Sequence, residues 1–184
     1  MRPTAKIAIL LLLLGTECGA EAQSDNLTPQ TLHEYSQVIQ AAYQFDTDLF
    51  GQMEKISTCL KKFRDSNGKL PETPDELMQN AAKSPLAANP YEPLRAALGD
   101  SGKDLPSGQE RLSIQTFEEG AITSVQIDRL SKSPPSAWMG KPGTIHVLKD
   151  SMDSYIIWGA GADRLPIKSP ASGKVRMICQ LAGQ

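Results

Sequence analysis

Histidine and cysteine, the residues on which many catalytic and metal centres depend, are scarce in this sequence. Only two histidines, His33 and His146, and three cysteines occur among its 184 residues. Neither histidine has a second histidine or a cysteine at metal-ligand spacing, and no serine stands in a nucleophile elbow. The sequence therefore offers no catalytic constellation, and we expect a protein that is not an enzyme.

Aromatic residues and net charge are also low, at 5% of the chain and −2 at neutral pH. Because no basic block is present, neither nucleic acid nor an anionic membrane surface is an expected partner. After residue 22, no apolar run approaches the about 20 residues that a membrane-spanning helix needs. We therefore expect no membrane span in the chain beyond that point.

The first 22 residues have the three-part order of a secretory signal peptide. Residues 1–6 are short and basic, residues 7–14 are continuously apolar, and residues 15–22 are small and polar. The tail ends in an A-x-A pattern, which predicts cleavage before Gln23. The mature protein is then a single domain, residues 23–184, and is expected to be periplasmic or secreted.

The cysteines allow more than one interpretation. Cys18 follows the apolar run and could be a lipidation site, although a charged Glu17 fits poorly just before such a cysteine. Cys59 and Cys179 form an even pair in an exported chain, which predicts a disulfide between them. Two separate buried thiols are the alternative.

Apolar residues at alternating steps of three and four predict one amphipathic helix over residues 29–64. Thr28 suits the N-cap, Pro29 suits the first helical position, and Asn67-Gly68 marks the end. At 1.5 Å per residue the helix is about 54 Å long, more than a small domain covers. This apolar seam consists of Leu32, Tyr35, Ile39, Ala42, Leu49, Met53, Ile56, Leu60 and Phe63.

Only Asp46 interrupts this seam, and the two halves on either side have different expected roles. The C-terminal half is expected to pack on the rest of the domain. The N-terminal half has no obvious cover, so we predict that it contacts a protein partner or a second copy, as in helix-in-groove recognition. We call Leu32, Tyr35, Ile39 and Ala42 the N-terminal stripe. Alternatively, the helix folds back at Gly51, or the stripe stays partly exposed.

The rest of the chain changes from helical to strand periodicity. A short capped helix begins at Thr73, because Thr73 and Glu76 form a capping box. Period-two alternation predicts one hairpin over residues 111–117 and 121–130, and a second over 144–149 and 154–159. A last strand is predicted over residues 174–181. The fold class is α+β, a long N-terminal helix packed on a small antiparallel β-meander.

Three aspartates surround the second predicted hairpin. Asp150, Asp153 and Asp163 could converge on a hard cation such as calcium, which prefers carboxylate oxygens. Polar turn residues are the alternative interpretation. A calcium site here would make the protein a periplasmic calcium- or small-ligand-binding module.

Several motifs, in order, resemble the major pseudopilins of type II secretion systems. These are the helix end over residues 59–71, then Thr73-Pro74-Asp75-Glu76-Leu77, Asn89-Pro90-Tyr91-Glu92, and the late strand with its Gly-Ala-Asp loop over residues 155–163. The resemblance covers about residues 49–167. It implies a pilin-like fold and a non-enzymatic role in cell-envelope assembly or secretion.

The chain departs from that family at its N-terminus. Pseudopilins have a prepilin peptidase site before an apolar helix that they retain as a membrane anchor, whereas this chain has neither such a site nor a wholly apolar mature helix. Asp163 is the nearest match to the calcium ligands of the family. The resemblance therefore implies a shared fold more strongly than a shared function.

Overall fold

A computed structural model of the protein describes residues 29–81, 84–95 and 105–183. The predicted signal peptide and its cleavage site lie outside these residues, as do the side chains of residues 29–39 and 42. The helices are α1 (Pro29–Asn67), α2 (Pro74–Gln79) and α3 (Ser124–Lys132), with short 3₁₀ turns at Glu92–Leu94 and Gly108–Arg111. The strands are β1 (Leu112–Thr116), β2 (Ile145–Lys149), β3 (Tyr155–Gly159) and β4 (Ile178–Gln180).

The predicted long helix is confirmed as α1, and it ends where the sequence indicated. Gly68 has a positive φ of 74°, and its N–H donates to the carbonyl of Arg64 at 2.8 Å, as is typical of a C-terminal glycine. The seam residues from Leu49 to Phe63 are buried in the core. No helix among the described residues combines the length and apolar character needed to cross a membrane.

The close approach of α1 to β3 depends on a glycine. A Cβ added to Gly159 would lie 2.9 Å from Leu49 Cδ2 and 3.1 Å from Met53 Sδ, which is too close for an ordinary contact. At the other end of β3, Tyr155 Oη and Ser57 Oγ lie 2.9 Å apart. The helix is thus held against both ends of this strand.

The described strands form one mixed sheet in the order β1-β2-β3-β4. β1 pairs with β2 in parallel, and the remaining neighbours pair antiparallel. Because successive side chains on a strand point to opposite faces, the core divides into two clusters. One cluster packs under α1 and includes Val147 and Ile157, and the other packs under α3 and includes Leu148 and Ile156. The sheet therefore lies between α1 and α3.

The first predicted hairpin was wrong in its second half. Residues 111–117 do contain β1, but most of residues 121–130 belong to α3 and its N-cap instead of a strand. A capping box starts this helix: the Thr123 hydroxyl accepts from the Gln126 N–H, and the Gln126 side chain accepts from the Thr123 N–H. With α3 as the crossover, β2 returns parallel to β1, so the sheet is mixed and is not an antiparallel meander.

The other local predictions agree with the structure. β2 and β3 form the second predicted hairpin, and the last strand is present but shorter, at Ile178–Gln180. The short helix α2 begins after Thr73, whose hydroxyl accepts the N–H of Glu76 at 3.3 Å. The coarse fold is therefore confirmed as α+β, a long N-terminal helix against a four-stranded mixed sheet.

The predicted disulfide is not formed in the structure, where Cys59 and Cys179 are free thiols. Cys59 packs with the cluster under α1, together with Ile178 of β4. The next residue on that strand, Cys179, packs with the cluster under α3. Because the sheet lies between the two side chains, the strand alternation that buries Ile178 against α1 turns the Cys179 thiol away from Cys59.

This separation predicts two titratable thiols in the chain from Gln23 to Gln184. Protein purified without reductant and unfolded in guanidinium should react with about two equivalents of a thiol reagent per chain. Cys59→Ser and Cys179→Ser should each leave about one equivalent and a similar melting temperature. A chain that shows no thiols until it is reduced would contradict the placement on opposite faces.

Candidate functional site

The first of the three predicted calcium ligands, Asp150, acts as a local hydrogen-bond acceptor. Its carboxylate is buried and accepts the backbone N–H groups of Ile122 at 2.7 Å, Met152 at 2.8 Å and Ser154 at 2.9 Å. Burial alone would raise the pKa of Asp150, but these hydrogen bonds outweigh it and hold the pKa below its usual value. Asp150 thereby connects the β2–β3 turn to the segment that leads into α3.

The other two predicted ligands bind other backbone groups, and only Asp153 shares the turn of Asp150. Asp153 accepts the N–H of Leu70 at 2.9 Å in the β2–β3 turn, and Asp163 accepts the N–H of Leu165 at 3.0 Å in the loop after β3. The five residues of β3 separate this turn from that loop, about 17 Å along the strand. Among the described residues, no group of three or more His, Cys, Asp or Glu side chains is placed to hold a metal ion. The structure thus does not bring the three aspartates together.

The aspartate that interrupts the seam of α1 is part of a polar junction with the segment around Tyr91. The Tyr91 hydroxyl donates a hydrogen bond to the Asp46 carboxylate, and the Tyr91 side chain is fully buried. Burial raises the pKa of Asp46 above its usual value. The Tyr91 hydrogen bond lowers this pKa, and the negative charge of the neighbouring Asp163 raises it. Burial and the Asp46 carboxylate raise the pKa of Tyr91 far above its ordinary value. Asp46 therefore has a partner in the domain and is not a solvent-facing defect of the seam.

Asn89 holds Tyr91 in place and joins three chain segments. Its buried side-chain amide donates to the carbonyls of Pro106 at 3.1 Å and Pro142 at 3.0 Å. Its Oδ1 accepts the N–H of Tyr91 at 3.0 Å. The Asn-Pro-Tyr motif, which the sequence offered only as part of a resemblance, is thus the structural support of the junction with α1.

Arg111 is a buried cation beside this junction that sequence reasoning missed. Its Nε donates to the carbonyl of Gly143 at 2.9 Å and its Nη1 to that of Ala87 at 2.7 Å, while Nη2 has no partner among the described residues. Burial lowers the pKa of Arg111 to about 10, so the guanidinium stays charged at neutral pH. No local pattern signals a buried arginine at the start of a strand. The carbonyls that it binds come from distant loops.

Beyond the junction towards the N-terminus, the described side chains of α1 leave the core. Phe45 still packs against Tyr91, with ring centroids 6.0 Å apart, but Tyr43 is 51% exposed and Gln40 and Gln44 are exposed. The backbone remains helical back to Pro29. The side chains of the N-terminal stripe (Leu32, Tyr35, Ile39 and Ala42) lie outside the described part, so their contact with a partner stays a prediction.

On the opposite face of the sheet, His146 is the central member of a directional hydrogen-bond chain. The Thr144 hydroxyl donates to the Lys141 carbonyl at 2.8 Å, so it can only accept from His146 Nε2, 2.9 Å away. The ring is therefore the Nε2–H tautomer, and its Nδ1 accepts from the Ser113 hydroxyl at 2.8 Å. The imidazole also stacks on Trp158, with ring centroids 4.1 Å apart.

The hydrogen bonds from Ser113 to His146 and from His146 to Thr144 resemble those of a catalytic serine–histidine pair, but the electrostatic environment of the histidine differs. Burial lowers the pKa of His146 to about 4, so the ring is neutral at physiological pH. Its second nitrogen donates to the hydroxyl of Thr144, whereas a catalytic histidine is supported by a carboxylate that stabilises the imidazolium. The arrangement orients the ring and does not activate Ser113.

Comparison with known proteins adds no relative. No family model, no curated protein and no solved structure matches the chain. The long helix packed on a four-stranded sheet is compatible with a pilin-like fold only in this coarse sense.

The Asp46–Tyr91 hydrogen bond predicts a measurable stability difference. Tyr91→Phe removes a donor to the half-buried Asp46 carboxylate and should lower the free energy of unfolding by about 1.5–3 kcal/mol at pH 7. Tyr43→Phe, which changes an exposed tyrosine of α1, the helix that carries Asp46, should change the free energy of unfolding by less than about 0.5 kcal/mol. In denaturant titrations, equal losses for the two variants would contradict the junction.

The raised pKa of Asp46 also fixes the sign of a pH effect. Above pH 3.8 the Asp46 carboxyl is protonated to a larger fraction in the folded state than in the unfolded state. Its contribution to stability therefore falls as the pH rises through the folded pKa. Asp46→Asn removes the half-buried charge and should therefore be more stable than wild type at pH 7, with a difference that shrinks on acidification towards pH 3.8. A constant difference from pH 7 to pH 4 would contradict this assignment.

His146 should titrate far below an ordinary histidine. Nitrogen-15 NMR should show a neutral Nε2–H ring from pH 8 to about pH 5, with protonation near pH 4. Thr144→Val leaves Nε2–H buried without an acceptor and should cost about 1–3 kcal/mol, whereas Thr116→Val at an exposed position of β1 should cost little. A midpoint near 6.5 would contradict the buried, neutral assignment.

Proposed function

We propose that this protein is an exported, non-enzymatic, pseudopilin-like protein that acts through protein–protein contacts in cell-envelope assembly or secretion. One observation carries the proposal: α1 is 39 residues long, and among its described side chains the fully buried seam residues begin at Leu49. About 20 residues, or about 30 Å of helix, precede that point. An amphipathic helix of this length is rarely stable without a surface that covers its apolar face.

The polar junction supports the same division of the helix. Asp46 lies one turn before Leu49, and Tyr91 and Asn89 hold that turn against the domain. The apolar pattern then continues on the N-terminal side as the N-terminal stripe, although Gln40, Tyr43 and Gln44 are already exposed. A stripe that repeats the spacing of the buried seam but lies beyond it favours contact with a groove on another protein or a second copy.

The resemblance to pseudopilins supports the biological setting of the proposal. The predicted signal peptide favours a location outside the cytoplasm, and the motifs over residues 49–167 favour an envelope role. In this proposal the apolar run of residues 7–14 is removed with the signal peptide, and the protein acts as a released protein whose long helix contacts a partner.

Charge substitutions in the N-terminal stripe test this function. Ile39→Glu and Ala42→Glu should each weaken self-association or partner capture by about tenfold or more, because a carboxylate is costly in an apolar interface. The matched control is Gln40→Glu, at an exposed position of the same helix turn. Sedimentation of the purified chain and crosslinking in the native envelope report the two forms of contact.

The same variants should keep the melting temperature of wild type, because the proposal assigns the stripe to the contact surface and the described buried seam residues begin at Leu49. Unchanged sedimentation and unchanged crosslinking for both stripe variants would contradict the proposal. A loss of contact that is equally large for Gln40→Glu would show that the stripe is not the contact surface.

A further inference from the structure

A cavity of about 340 Å³ lies on the sheet face that is turned away from α1. Side chains of three neighbouring strands line it, and the turn after β1 and the connection between α3 and β2 also contribute. The lining includes Gln115, His146 and Trp158 from the strands, Glu118 from the turn, and Trp138 and Met139 from the connection. A volume of this size lies within the range of small-molecule sites.

The cavity lining contains a buried donor without a partner. Trp158 is 3% exposed, and its Nε1–H finds no acceptor among the described residues. The neighbouring His146 cannot supply one, because both of its nitrogens already bind hydroxyl groups. A buried donor in this state favours any ligand that brings an acceptor to it. Since Nε1 is closed to solvent, a ligand reaches it only when neighbouring side chains of the cavity wall move aside.

The cavity rim offers acceptors and no cation. Glu119 forms an ion pair with Arg129, whereas Glu118 is exposed and has no ion-pair partner among the described residues. The exposed amide of Gln115 can both donate and accept. No lysine or arginine lines the cavity, which disfavours a phosphate or carboxylate ligand. The ligand should therefore carry hydrogen-bond donors for Glu118 and Gln115, one acceptor for the Trp158 indole N–H, and an apolar group.

We propose that this cavity binds an N-acetylated amino sugar. The acetamido carbonyl would accept from Trp158 Nε1–H, its N–H would donate to the Glu118 carboxylate, and its methyl group would contact the stacked Trp138 and Trp158 rings, whose centroids are 5.2 Å apart. Ring hydroxyls would bind the Gln115 amide. This pairing supplies partners for the Trp158 indole N–H, the Glu118 carboxylate and the Gln115 amide, and it involves no residue of the N-terminal stripe.

Indole NMR on the full mature chain tests the site. The chain has two tryptophans, so two indole N–H signals are expected, and Trp138→Phe identifies that of Trp158. Titration with N,N′-diacetylchitobiose to about 20 mM should move the Trp158 signal downfield with a saturable, millimolar Kd. Cellobiose, which has the same linkage without the acetamido groups, should bind at least about fivefold more weakly.

A pair of glutamate variants tests the rim. Glu118→Gln should weaken chitobiose binding by about three- to tenfold, and Glu110→Gln, an exposed position outside the cavity lining, should not change it. An indole signal that does not move up to the highest concentration overturns the proposal. An equal response to cellobiose also overturns it, as does a saturable response to N-acetyl-trialanine amide without one to chitobiose, which would identify a peptide site.

Discussion

Between α1 and β3 there is no space for a side chain at Gly159, and this close contact positions much of the remaining structure. β3 is an inner strand of the sheet, and all of its residues are buried. With α1 fixed across it by Leu49 and Met53, the turn of α1 that carries Asp46 reaches Tyr91. The position of the polar junction on α1 therefore depends on Gly159, because this glycine lets α1 approach β3 closely.

Local patterns were sufficient to predict the elements whose signals are local. The seam of α1, the glycine at its end, the capped α2 and the β2–β3 hairpin each follow from spacing or capping within a few residues. The failure at α3 came from two signals in the same segment. Val125 and Ile127 alternate as in a strand, but Thr123 and Gln126 cap a helix, and Val125 is 77% exposed. The capping pair was the stronger signal because it satisfies backbone donors that alternation leaves open.

The candidate site was less predictable, because its contacts join residues that are distant in sequence. Asn89 binds carbonyls of Pro106 and Pro142, and Arg111 binds those of Ala87 and Gly143, and nothing in the flanking residues of either indicates these partners. The aspartates were grouped because they are close in sequence around one hairpin. Instead, Asp150 and Asp153 accept local or cross-loop N–H groups in the turn before β3, and Asp163 accepts a local N–H in the loop after β3. Spacing predicts periodic faces well, but it does not predict which loops meet.

The order of the elements along the chain has a consequence for biosynthesis. The apolar seam of α1 is made first, and β3, which covers it, emerges from the ribosome about 100 residues later. Until then, only the earlier members of the same cluster, such as Leu70, Leu77 and Tyr91, can cover Leu49, Met53 and Ile56. β1 cannot pair with β2 before α3 has also been made, because their parallel pairing spans that helix. A chain built this way cannot complete the core around α1 until β3 has been made. The part of the seam that is still exposed in the nascent chain is a surface that holding chaperones can bind.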